Sequence, residues 1–167
     1  MSNNKFWRLE GMPFRPVDQY STFSIAGESF FQADGLFGLA VSPKLSDNSR
    51  YLAFRPLASR SLYLAKIEDI LSTQYYKPLK YFAAEDVLPS QASAMVFSSD
   101  GTLFFHLTAE TATGCWNSKK LLIPENIVIF LAVFTEECFT NKYLKNIFYR
   151  ELQFKIRKIY NSPVDLK

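Results

Sequence analysis

A chain of 167 residues that is 48% hydrophobic and 16% aromatic is long enough for one domain with a sizeable core, and too apolar to be disordered. Its net charge of +3 is too weak to point to nucleic acid, and without a run of 18 apolar residues no membrane-spanning helix is expected. Sixteen Phe and nine Tyr suit strands better than helices.

The N-terminus, Met1 to Arg8, lacks the apolar core of a signal peptide. Lys5 to Leu9 is expected as an edge or outer strand, and Gly11 to Tyr20, with Pro13 and Pro16, as a loop. Thr22 to Ala26 alternates and predicts a short strand. Gly27 to Asp34 reads as a loop leading into the strand that follows. Within it, Gly27-Glu28-Ser29-Phe30 is not a hydrolase nucleophile elbow, because Phe31 stands where the second glycine is needed.

The strongest local signal is Gly35-Leu36-Phe37-Gly38-Leu39-Ala40-Val41-Ser42-Pro43, expected as a buried strand ending in a Ser-Pro turn. Gly35 and Gly38 mark places where a neighbouring backbone or side chain comes close. A polar break, Lys44 to Ser49, separates this run from Tyr51-Leu52-Ala53-Phe54, which makes the pair a hairpin. Ser61 to Ala65 predicts a third strand. Ile67 to Leu71 is either a helical turn or the end of that strand. Lys80 to Ala84 predicts the outermost strand of the unit.

The same unit recurs downstream. Ala94 to Ser99, the turn Asp100-Gly101 and Leu103-Phe104-Phe105 repeat the earlier strand–turn–strand, at offsets of 56 and 52 residues. Thr108 to Gly114 is expected as a loop before Cys115-Trp116-Asn117, and Asn126 to Phe134 as a continuous apolar strand. A repeat of roughly 40–50 residues built from strand–turn–strand units is the mark of a β-propeller blade. From Thr135 the composition shifts. Phe139, Tyr143 and Ile147 recur every four residues, as do Leu144, Phe148 and Leu152, which predicts an amphipathic helix over about 141–159. Its polar face carries Lys142, Lys145, Arg150, Lys155, Arg157 and Lys158, so it is either a solvated face or a membrane-surface helix.

Several stretches together resemble the major royal jelly protein/yellow family. They are Thr22 to Phe30, Asp34 to Pro43, Pro56-Leu57-Ala58-Ser59, Ser90 to Ala94, Leu103-Phe104-Phe105, Gly114-Cys115-Trp116-Asn117 and Pro124-Glu125-Asn126-Ile127. The resemblance covers roughly Lys5 to Ile129. It implies an all-β fold, part of a six-bladed β-propeller with about two and a half to three blades, and a secreted protein. It also implies a division into residues 5–134, a partial propeller, and residues 135–167, a divergent basic tail. The tail departs from the family pattern and is expected to be a product of a partial gene model or a short isoform, and its removal is expected to cost no stability. The family roles so implied are nutritive, pigmentation, dopachrome conversion and binding of small amines. Binding is expected here, with a dopachrome-converting enzyme or a non-functional truncated product as the alternatives.

No pattern identifies a catalytic residue, and neither a cofactor nor a metal is implied. His106 is the sole histidine, without a companion cluster of ligands. Cys115 and Cys138 allow at most one internal disulfide. Cys115 stands in a motif shared with the family, and the resemblance implies that it is oxidised in a full-length secreted relative. If the repeated strands are the innermost of their blades, then Phe30, Phe31, Gln32, Asp34, Ser90 and Gln91 lie in the loops leading into them. An aromatic ring, a carboxylate and amides there suit a small amine, and the same residue types also serve turns and blade packing.

Overall fold

The structure is a computed structural model that describes residues 8–72 and 78–130. It is built from antiparallel sheets. The first is a ribbon of β1, Thr22–Ile25, and β2, Glu28–Phe31. Ala26 and Gly27 turn between them with φ of 52° and 87°, the two left-handed residues of a tight hairpin. Part of the stretch expected as a loop, Gly27 to Asp34, is therefore strand. Glu28–Phe31 has no alternation of buried and exposed residues, since all four are exposed, so its pairing comes from the turn rather than from a buried face.

The next sheet holds β3, Leu36–Val41, β4, Tyr51–Pro56, β5, Leu62–Lys66, and β6, Phe82–Ala84, in that order. The expected hairpin is present, with Ala40 opposite Ala53. A short helix α1, Ile67–Ser72, follows β5, which settles Ile67 to Leu71 as a helical turn. The other sheet repeats the plan with β7, Ala92–Phe97, β8, Thr102–Leu107, β9, Ala112–Asn117, and β10, Ile127–Phe130. β9 begins three residues earlier than the sequence suggested, inside the expected loop Thr108 to Gly114. Both innermost strands start with a register shift, between Leu36 and Gly38 and between Ala92 and Met95. Two four-stranded meanders with the same irregularity, preceded by a ribbon, are the blades of a partial β-propeller.

The two sheets share one core. Ala40, Ala53 and Leu62 from the first meet Leu103, Phe105, Leu107 and Trp116 from the second. Each fully buried Leu or Phe there contributes about 1.5–3 kcal/mol of transfer free energy. Ala84, Val87, Leu88 and Leu122 close the ends of this layer. The opposite face of the second sheet gathers Phe104, Cys115, Val128 and Phe130. On the outer face of the first, Phe54 stacks between Phe14 and Tyr63 at 5.2 and 5.5 Å.

β3 corrects one expectation. It is not a buried strand. Gly38 and Ala40 are buried, while Leu36, Phe37, Leu39 and Val41 are exposed. The small residues face the second blade, where space is short, and the large ones face outward. The two glycines do sit at close approaches. A Cβ on Gly38 would lie 2.9 Å from Arg55 Cγ and 3.1 Å from Met95 Cγ of β7, and one on Gly35 would lie 2.5 Å from the Phe14 carbonyl oxygen. Arg8 and Leu9 are not strand, and the rest of the expected first strand lies outside the described residues. So do the expected helix over 141–159 and the end of the run Asn126 to Phe134. Among the described residues no helix is long and apolar enough to cross a membrane.

Candidate functional site

The loops that lead into β3 and β7 meet at one end of the two blades, on the segment Tyr20 to Thr22. The Gln32 backbone N–H donates to the Ser21 carbonyl at 2.7 Å. The Gln91 side-chain amide donates to the carbonyls of Tyr20 and Thr22 at 2.9 and 2.8 Å. The six residues singled out in the sequence therefore belong to one end of the fold, but they do different work.

Gln91 and Ser90 are committed to the protein. The Gln91 carbonyl accepts from the backbone N–H and the hydroxyl of Thr108, both at 2.9 Å. The Ser90 hydroxyl is shared between the Gln91 carbonyl and the Glu110 carboxylate. Both residues are buried, and the Gln91 side-chain bonds tie the ribbon to the second blade. Phe30 stacks on Phe23, with ring centroids 5.4 Å apart and planes 9° from parallel.

Phe31, Gln32 and Asp34 remain at the surface. Phe31 is 74% exposed. The Gln32 amide donates to the Asp34 carboxylate at 2.6 Å, and the Asp34 carbonyl accepts from the Ala58 N–H at 3.1 Å, which anchors the loop to the end of β4. This trio offers a ring, an amide and a carboxylate to solvent.

Two groups escaped sequence reasoning. Arg60 lies 5.6 Å over the Tyr20 ring and donates from Nε to the Leu88 carbonyl at 2.7 Å. Asp86, in a left-handed conformation with φ of 48°, accepts from the Tyr20 hydroxyl, and this bond raises the Tyr20 pKa, with desolvation adding to it. Tyr20, Arg60 and Asp86 come from three distant loops, so no local pattern could have joined them. Arg55 is the other. It is wholly buried and donates to the Ala92 and Ser59 carbonyls, the latter at 2.6 Å, while its Nε has no partner. Desolvation lowers its pKa to about 9, so it stays charged at neutral pH. Its signal was a charge inside an apolar strand, Tyr51–Pro56.

His106 is exposed on β8 opposite Thr113. Cys115 is disulfide-bonded, and Cys138, the other cysteine of the chain, lies outside the described residues. Among the described residues, no group of three or more His, Cys, Asp or Glu could hold a metal ion.

A sequence profile described as "Major royal jelly protein" matches residues 1–140. The chain belongs to the major royal jelly protein family. The match runs past Ile129, where the residue-by-residue resemblance ended. Among curated relatives, major royal jelly protein 8 of Apis mellifera is 40% identical over 129 residues, 77% of this chain and 30% of that protein. Major royal jelly protein 6 of the same species is 38% identical over 127 residues, 75% of this chain and 28% of that one. Major royal jelly protein 1 is 35% identical over 127 residues, again 75% and 28%. The chain thus spans less than a third of the length of these relatives. As a royal jelly-type protein it carries the family motif Gly114-Cys115-Trp116-Asn117 on β9, with Trp116 in the shared core and Cys115 on the opposite face.

Proposed function

We propose that this royal jelly-type protein acts outside the cell as a binding protein, and takes a small cationic amine at Phe31, Gln32 and Asp34. The observation that carries this reading is the exposed Asp34 carboxylate, which lies three residues after the exposed Phe31 and accepts from the Gln32 amide. A protonated amine is attracted both to a carboxylate and to an aromatic face, at about 0.5–1 kcal/mol for the latter at an exposed site. The extracellular placement is supported by the disulfide at Cys115, which suits an oxidising compartment, and by relatives named for royal jelly. Dopachrome conversion is the less favoured reading, because an acid–base reaction needs a positioned proton donor and acceptor, and Ser90, Gln91 and Glu110 are bonded to one another or to backbone.

The test is titration calorimetry with tyramine. Binding to the parent chain that is abolished by Asp34→Asn and weakened by Phe31→Ala is the expected result. Equal affinity of the parent and Asp34→Asn chains, or heat of binding in neither, refutes the site.

A further inference from the structure

At the opposite end of the blades from Asp34, three connections converge. They are the β3–β4 loop, the β7–β8 turn and the β9–β10 loop. The Ser118 N–H donates to the Gly101 carbonyl at 3.1 Å. Gly101 has φ of +86°, and a Cβ there would lie 2.6 Å from Ser118 Oγ and 3.3 Å from Leu45 Cδ2, so the three connections are in mutual contact. The β9–β10 loop is fixed further by Trp116, whose indole N–H donates to the Leu121 carbonyl at 3.3 Å, and by the Asn126 side chain, which donates to the same carbonyl at 3.0 Å.

These connections line an open pocket of about 770 Å³ between the two blades. That volume lies within the range of small-molecule sites, about 300–1,000 Å³. Its apolar lining includes Leu64 and Phe82 from the first blade and Trp116 and Leu122 from the second. Phe82, the first residue of the edge strand β6, is 56% exposed. Two aspartates and three lysines also line it. Asp47 accepts from Tyr51 Oη at 2.7 Å and pairs with Lys66 at 3.0 Å. Asp100 accepts from the Ser98 hydroxyl and the Thr102 N–H. Lys44, Lys119 and Lys120 also line the cavity, and among the described residues none of the three has a carboxylate within ion-pair distance.

An apolar lining beside engaged aspartates and lysines without a carboxylate partner among the described residues selects for a molecule of matching build. We propose that this cavity binds a free, monomeric long-chain carboxylate, with its hydrocarbon chain between Phe82, Leu64 and Trp116 and its head group at Lys119 and Lys120. The chain removes apolar surface from water on both partners, and the carboxylate meets lysines that, among the described residues, have no carboxylate partner. This site is independent of the amine reading, since it shares no residue with it and lies at the other end of the sheets.

The experiment uses the full chain with Trp7→Phe, so that Trp116 is its sole indole. Dodecanoate is titrated below its critical micelle concentration while Trp116 emission is followed. Dodecyltrimethylammonium, with the same tail and the opposite charge, is the control. Sedimentation with phosphatidylglycerol vesicles tests whether an anionic membrane surface, with phosphodiester in place of carboxylate, is the real partner. The expected result is saturable dodecanoate binding at least tenfold tighter than that of the cationic surfactant. Lys119→Glu combined with Lys120→Glu should weaken it at least tenfold, and Phe82→Ser at least fivefold. All three substitutions are at exposed positions, and an unchanged urea midpoint confirms that each variant is folded. Equal affinity for both surfactants, unchanged binding by the lysine variant, or binding to vesicles alone would overturn the proposal.

Discussion

Gln91 shows how a residue suited to ligand binding becomes a strut. Its amide reaches two carbonyls that are 71 and 69 residues away along the chain, and its own carbonyl takes two bonds from Thr108. Replacing it with leucine leaves the Tyr20 and Thr22 carbonyls short of a donor at a part-buried site, where each such loss costs about 1–3 kcal/mol. With two such bonds lost, urea unfolding of Gln91→Leu should therefore show a loss of roughly 2–6 kcal/mol, and an unchanged midpoint would remove Gln91 from the structural role. Asp47 predicts a pH effect. The Tyr51 hydroxyl first, then Lys66 and the Ser49 N–H, hold its carboxyl well below its ordinary 3.8. A depressed carboxyl pKa contributes stability that is present above pH 3.8 and is lost as pH falls toward the folded-state value. Asp47→Asn should make the loss of stability below pH 4 shallower than in the parent chain, as followed by thermal melts across that range. Parallel profiles would show that the aspartate has no such linkage.

At the level of elements, the blade pair rests on how closely β3 approaches β7. Gly38 has Arg55 Cγ and Met95 Cγ within 3.1 Å of a would-be Cβ. Gly38→Ala should cost about 1–3 kcal/mol by overpacking, and Met95→Ala in the same chain should recover part of it. Additive costs in that double-mutant cycle would mean that the two strands do not press on each other there. The strand–turn–strand repeats were legible because alternation and turn residues are local. β2 was not, because Glu28-Ser29-Phe30-Phe31 has no buried face and its hairpin is set by the left-handed Ala26 and Gly27. The burial of β3 was misread because an apolar run looks the same whether its large or its small residues face the core. For the candidate site, sequence order placed Phe30 to Asp34 and Ser90–Gln91 at one end of the blades. It could not show that the Gln91 amide turns toward Thr22 while the Asp34 carboxylate stays in water, since that depends on contacts between distant segments.

At the scale of the whole molecule, two blades of a royal jelly-type propeller share one hydrophobic layer, with Leu62 and Ala53 of one against Phe105 and Trp116 of the other. Sheets that share a core in this way must unfold together, whereas blades that merely sit side by side would not. Leu62 is fully buried in the first blade, and Trp116 reports from the second. The most direct test is urea unfolding of Leu62→Ala in the Trp7→Phe chain, followed by Trp116 fluorescence. Truncating a buried leucine costs about 2–5 kcal/mol, so the Trp116 transition should shift to lower urea by that amount while remaining a single step. A Trp116 transition that stays where it is in the parent chain would contradict the shared core, and with it the paired-blade fold.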